Sequence, residues 1–405
     1  LFAFPGASLV LDEPGQLSGE RAGAHSEFLE ALDEWWHSES AALPDADLPF
    51  SGGWFLFLGY ELAAEVEPAL ALTADTLLPA AFAVRCPAAI IRDHADGSVV
   101  FVAESRSAEQ VDMIRDDIAA CDAATPLPRY GNPRVDEEDA APFLDAVIAA
   151  KRHIARGDIY QANLSRGWSA RLPREADALH IYESLCDANP GPFAGIVRWR
   201  DTCIISSSPE RLLQVRDDVV STRPIAGTRP RSDDKSVDDE LLAELIAHPK
   251  ERSEHVMLIV LERNDLGRVC QAGTVEVNEM MVIESYAHVH HIVSNVQGVK
   301  RDNVTPGDCI RAVFPGGTIT GCPKVRCMEI IADLETGPRG AYTGSFGYLN
   351  LDGSMDLNIL IRTMVMRDDQ ITLRAGSGIV ADSEPEAELA ETRAKAKGLI
   401  KALSI

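Results

Sequence analysis

Apolar and polar residues recur at two different periods along this chain, and the changes of period predict its elements. Residues 53–59 form an unbroken apolar run of strand length, which reads as a strand covered on both faces. Shorter runs predict strands at 98–102, 202–206, 212–220, 257–261, 274–277, 292–296 and 359–366. Helical spacing appears at 27–36 and 147–155. It is clearest at 238–247, where Leu241, Leu242, Leu245 and Ile246 make one stripe. A last helix is predicted from Ser383 onward, with Ser383 and Glu386 spaced as a capping box and Pro385 near the first turn. Prolines, a glycine and acids mark 125–139 as a connection. The chain therefore divides into an N-terminal segment over 1–124, a linker over 125–139 and a larger region over 140–405. Strands and helices alternate irregularly, without internal repeats, so the class is α/β or α+β.

Charge narrows the partners. A formal charge of −25 and a pI near 4.8 argue against a nucleic-acid surface and against an acidic membrane. An acidic chain still holds an anionic ligand where a metal and a few basic residues make the site locally positive. No window reaches the ~18 apolar residues of a membrane span. The start at Leu1 has no basic, then apolar, leader pattern, so no signal peptide is expected, and the lack of an initiator Met suggests that a few leading residues are missing. Eight cysteines without CxxC spacing read as reduced core thiols of a cytoplasmic protein.

The first chemical signal is a repeated spacing. Glu251 and Glu254 follow Pro249, a residue suited to opening a helix, and Glu388 and Glu391 lie in the last helix. Residues three apart share a helix face, so each pair can aim two carboxylates at one point. Four oxygen donors suit a hard cation such as Mg²⁺. Taken alone, the spacing is matched as well by solvated surface acids, in a chain with 63 of them. Other motifs exclude chemistry. Gly316 to Gly321 lacks the lysine that a nucleotide-binding loop needs directly after it. There is no G-x-S-x-G elbow and no G-x-C-x-G element of a glutaminase, so any ammonia arrives free or from another chain. His288, His290 and His291 lie in one predicted strand and read better as satisfied strand histidines than as metal ligands.

Nine stretches in order, among them DIYQANLSR, SSSPERLL, RPIAGTRPR, PKERSEHVML, FPGGTITGCPKVR, RGAYTGSF and GSGIVADSEPEAELAETRAKA, resemble the chorismate-utilising enzymes over most of 150–400. That family makes anthranilate, aminodeoxychorismate, isochorismate and salicylate. The resemblance implies a large sandwich of two antiparallel sheets with helices outside, and an active site between the layers. It implies that Glu254 and Glu391 bind Mg²⁺ directly and that Glu251 and Glu388 hold it through water. Glu210 matches the general acid for the departing 4-hydroxyl. Tyr342 and Arg362 match the grip on the enolpyruvyl carboxylate, and Gly376 and Gly378 match backbone donors to a carboxylate. Thr318, Thr228, His291 and Lys395 match further positions of the pocket.

Two residues select a branch within the resemblance. The water-adding members carry a lysine at the position of Gln161; glutamine is no base, which implies ammonia as nucleophile. Ala226 stands in Pro224-Ile225-Ala226-Gly227-Thr228, where the covalent aminodeoxychorismate-forming members have a nucleophilic lysine. Yet FPGGT and Asn189-Pro190-Gly191-Pro192-Phe193 resemble the aminodeoxychorismate branch. Together these imply amination in two ammonia additions, through 2-amino-2-deoxyisochorismate to 4-amino-4-deoxychorismate, with ammonia from a separate glutamine amidotransferase. Anthranilate formation and a non-catalytic chorismate-binding protein are the alternatives.

Overall fold

The computed structural model describes residues 1–404 apart from 14, 43–47, 122–130, 233 and 287–288, and apart from the side chains of 228, 249 and 250. The strand Gly53–Leu58 is buried along its whole length. Trp54, Leu56 and Leu58 pack with Phe28 and Leu32 of the helix Phe28–Glu39 and with Ile310 and Val313 of the helix Pro306–Val313. Phe55 and Phe57 turn the other way, among Phe82, Ile204 and Phe346. Side chains alternate across a strand, so one continuous apolar run serves two cores. One core lies under the helices and the other lies between the sheets.

Among the described residues the larger sheet has eleven antiparallel strands. Its order runs from Ile225–Pro230 through Val289–Val299, Val219–Arg223, Arg211–Arg216, Met355–Asn358 and Ser345–Asn350 into the N-terminal strands Gly53–Leu58, Ala81–Cys86 and Ser8–Glu13. The second sheet has seven, ordered Phe193–Trp199, Thr202–Ser208, Thr363–Arg367, Gln370–Ile379 and Gln161–Arg171, with two short strands beside the last. Its outer face sets Trp168, Ile371 and Leu373 against Ile181, Leu185, Ala396 and Leu399 of the helices Ala178–Ala188 and Pro385–Ala402. The result is the expected mixed sandwich of antiparallel sheets with helices outside. A small third sheet of Phe2–Ala3, Ala88–Arg92 and Val99–Ala103 adds to it.

Several predicted elements differ. Residues 257–261 are not a strand but the middle of the helix Pro249–Gly267, because a short apolar run has no period of its own. Residues 212–220 are two strands, Arg211–Arg216 and Val219–Arg223, joined by a tight turn with Asp217 at φ 52°. Only Thr363–Arg367 of 359–366 is extended, and the strand expected at 274–277 is Glu276–Ser285. The capping box at Ser383 does not form: the helix Pro385–Ala402 has Glu384 at its N-cap without a side-chain bond, and Ser383 Oγ accepts from Val380 N instead. A capping box forms at Thr305 and Asp308. Part of the predicted linker, 122–130, lies outside the described residues; within the rest, Val135–Glu137 pairs with Gln161–Arg171 and Asp139 caps the helix Ala140–Arg156. All eight cysteines are free thiols, and Cys121 is exposed instead of in the core.

Candidate active site

Two places where the chain passes between the sheets build the centre of the site. Ser208-Pro209-Glu210 leads from Thr202–Ser208 in the smaller sheet to Arg211–Arg216 in the larger one. Proline has no N–H for a ladder, so the strand ends there. Residues 359–362 make the reverse passage, from Met355–Asn358 to Thr363–Arg367. The passages are stitched together: Ile359 N donates to Glu210 O at 3.0 Å, Ser207 N to Arg362 O at 3.0 Å, and Ser208 Oγ to Ile359 O at 2.5 Å. The loop carrying Tyr342 joins them, with Thr343 N on Leu360 O at 2.8 Å. Arg362 has φ 53°, a backbone conformation that non-glycine residues adopt at some cost and that gathers at functional sites.

Glu210 is buried, and its Oε1 has no hydrogen-bond partner among the described residues. Burial pushes its carboxyl up to about 7, against the pull of the Thr318 hydroxyl, the Ile225 amide and the Lys395 and Arg362 cations. Arg362 is held below its ordinary value by burial, with Tyr342, Glu210 and Glu391 as the groups that favour its charge. His291 is pushed down to about 4, chiefly by burial, and is therefore neutral near pH 7. It lies opposite Thr228 in the ladder; the side chain of Thr228 is outside the described residues, as is His288. His290 is held by Ser285 and Asp238, away from His291.

The strand Gln370–Ile379 supplies the floor. A Cβ on Gly376 would stand 2.6 Å from Tyr342 Oη, and one on Gly378 2.6 Å from Gln161 Nε2. Both positions exclude a side chain because other groups of the site occupy that space. Lys395 Nζ donates to Gly376 O at 3.0 Å and pairs with Glu391 at 2.7 Å. Gln161 Nε2 donates to Glu254 Oε1 at 3.1 Å. Ala226 is buried against Leu258 and Leu261 of the helix that carries Glu254. Gln161, Glu254 and Gly378 thus lie together, as do Tyr342, Gly376, Lys395 and Glu391, while Glu251 is in an ion pair with Arg229 at 3.3 Å.

Four glutamates offer the oxygen donors and negative charge that a hard divalent cation requires. Glu388 is buried with Oε2 unpartnered, which is a costly arrangement for a carboxylate unless something completes it. Glu251 and Glu391 are neutralised by Arg229 and Lys395. Among the described residues no three acidic, histidine or cysteine side chains stand close enough to hold one ion. The donor set therefore fits Mg²⁺ in type, while Glu391 is exposed and two members are held by basic side chains.

Some neighbours of the site were not legible from motifs. Glu262 is buried on the same helix, and burial together with Asp265 pushes its carboxyl up. Arg339 is buried and bonded to Glu335, to Asn163 O and to Ile319 O beside Thr318. Its only signal was its place in the RGAYTG stretch.

The family model described as chorismate binding enzyme matches residues 7–401. The chain is 42% identical over 365 residues to an anthranilate synthase component I-like protein of Synechocystis sp., covering 88% of this chain and 73% of that one. It is 39% identical over 389 residues to aminodeoxychorismate synthase component 1 of Bacillus subtilis, covering 93% and 82%. The crystal structure of anthranilate synthase component I from Streptococcus pneumoniae TIGR4 superposes with a TM-score of 0.88 at 29% identity, over 99% of this chain and 91% of that one. With residues 7–401 matched by the family model and relatives near 40% identical over most of both chains, this chain belongs to the chorismate-binding enzyme family.

Proposed function

We propose that this enzyme aminates chorismate to 4-amino-4-deoxychorismate, using ammonia delivered by a separate glutamine amidotransferase. The observation that carries the reading is Ala226, buried against Leu258 and Leu261, in a chain whose FPGGT and NPGPF stretches resemble aminodeoxychorismate-forming relatives. A methyl group cannot attack the ring. Ammonia therefore adds at carbon 2, and a second ammonia adds at carbon 4 as the first leaves. Gln161, bonded to Glu254, offers no base for water. Glu210 gives its proton to the departing 4-hydroxyl, and the Arg362 guanidinium grips the enolpyruvyl carboxylate with Tyr342. Glu254, Glu391, Glu251 and Glu388 would hold Mg²⁺, which when bound supplies Lewis-acid charge neutralisation at the ring carboxylate. His291, neutral at working pH, and Lys395, seated on Gly376 O, shape the polar wall.

Incubation with chorismate, Mg²⁺ and ammonium, followed by the lyase that forms p-aminobenzoate, is expected to yield p-aminobenzoate. Anthranilate as sole product overturns the reading. That second reading has its own support, since relatives named anthranilate synthase share this degree of identity. Replacement of Ala226 is also informative. Ala226→Lys is expected to give less activity than the parent and no trapped lysine adduct by mass spectrometry, because an apolar wall of Leu258 and Leu261 receives the new chain. A highly active variant with an adduct would contradict the shape argument.

A further inference from the structure

Two residues of the N-terminal segment touch the loop that carries Tyr342. After the strand Gly53–Leu58 the chain makes a short 3₁₀ turn, Tyr60–Leu62, which buries both Tyr60 and Glu61. Glu61 points at the loop that carries Tyr342. Its Oε1 accepts from Arg339 N at 2.8 Å and from Gly340 N at 3.1 Å, while Tyr60 N donates to Gly340 O at 2.9 Å. Burial pushes the Glu61 carboxyl up to about 7, against the pull of the Gly340 and Arg339 amides, so what Glu61 supplies here is an acceptor for two backbone N–H groups of the Tyr342 loop.

The Arg339 guanidinium lies between two aromatic rings, 4.8 Å from the centre of Tyr60 and 5.6 Å from that of Tyr342. Its nitrogens donate to Glu335 at 2.7 and 2.9 Å, to Asn163 O at 2.7 Å and to Ile319 O at 3.3 Å. Asn163 is two residues from Gln161, and Ile319 follows Thr318. Tyr342 N closes the loop on Arg339 O at 3.0 Å, and Tyr342 Oη lies 2.6 Å from where a Cβ on Gly376 would be. The chain of contact runs from Glu61 to the Arg339 backbone, from its guanidinium to the Tyr342 ring, and from there into the site.

We infer that Glu61 is a positioning residue for substrate: by holding the Arg339 and Gly340 amides it keeps the Arg339 guanidinium under Tyr342 and so aims the Tyr342 hydroxyl at the chorismate carboxylate. The inference rests on Tyr342 gripping that carboxylate. It makes the N-terminal segment part of the binding machinery and not only a wall of the sandwich.

Steady-state kinetics on the full chain test it. Glu61→Ala is expected to raise KM for chorismate about tenfold, the factor that one lost acceptor produces, with kcat changed by less than about threefold. Glu61→Gln, whose amide oxygen accepts from both N–H groups, is expected to restore KM to within about twofold. Arg339→Lys, which keeps the charge and loses the planar fork, is expected to raise KM as well. In a Tyr342→Phe background, both Glu61→Ala and Arg339→Lys should change KM by less than about twofold, because the hydroxyl they aim is gone. Effects that add fully in that background overturn the inference, as does a fall in kcat with KM unchanged. If Tyr342→Phe raises KM and Glu61→Ala does not, Glu61 has no positioning role. If Tyr342→Phe itself leaves KM unchanged, the substrate-grip reading falls first.

Discussion

Glu210→Gln is expected to lower turnover of chorismate by about 10²–10⁴-fold, the contribution of a proton donor placed at its leaving group. The amide keeps the size and one hydrogen bond, so folding and chorismate binding should persist while proton transfer is lost. The native enzyme should reveal the same group in its pH profile. Burial pushes Glu210 up to about 7, and for the proposed proton donor the protonated form is the active one. Activity at constant free ammonia is then held below about pH 7 and lost as pH rises through that value. His291, pushed down to about 4, stays neutral across this window and contributes no limb. A native profile flat from pH 6 to 8.5, or a Glu210→Gln variant with near-native turnover, would exclude Glu210 as the donor.

The second large effect concerns the cation. Chelation of divalent ions is expected to silence turnover, and added Mg²⁺ to restore it. Glu254→Gln and Glu391→Gln should lose activity at any practical Mg²⁺ concentration. Glu251→Gln and Glu388→Gln should raise the Mg²⁺ requirement about 10–100-fold, as outer positions around a metal do. The ion pairs Glu251–Arg229 and Glu391–Lys395 add a distinguishing detail. Removing the Lys395 charge in Lys395→Met frees Glu391 and should lower the Mg²⁺ concentration for half-saturation, whatever it does to kcat. Full turnover in excess chelator would sink the metal reading altogether.

Much of the candidate site was proposed from sequence because its residues sit in compact motifs. Glu251 and Glu254 are three apart on a helix opened by Pro249, and Glu388 and Glu391 share a face of the last helix. Start signals around Pro385 located that last helix, and apolar patterning located the doubly buried strand Gly53–Leu58. Patterning failed at 257–261, where Met-Leu-Ile-Val-Leu fits a buried strand as well as the inner turns of a helix. The capping signal failed at Ser383, whose hydroxyl had a nearer amide in Val380. The Glu61–Arg339–Tyr342 contact was invisible for another reason. Glu61 and Arg339 are 278 residues apart, and a buried acid looks like any other glutamate until its partners are known. Arg362 likewise shows nothing in sequence of its left-handed backbone.

The pairing of Gly53–Leu58 with Ser345–Asn350 has a consequence for synthesis of the chain. Ser51 N reaches Asn350 Oδ1 across 299 residues, so the N-terminal strands leave the ribosome long before the neighbour that completes their sheet. At ordinary elongation rates that interval is on the order of 15–60 s. During it, a strand apolar on both faces has an open ladder edge and no cover for the phenylalanines that later meet Ile204 and Phe346. The nascent chain thus spends that interval with its earliest strands waiting for a late one, and during it the chain is suited to be a client of holdase chaperones that bind extended apolar segments.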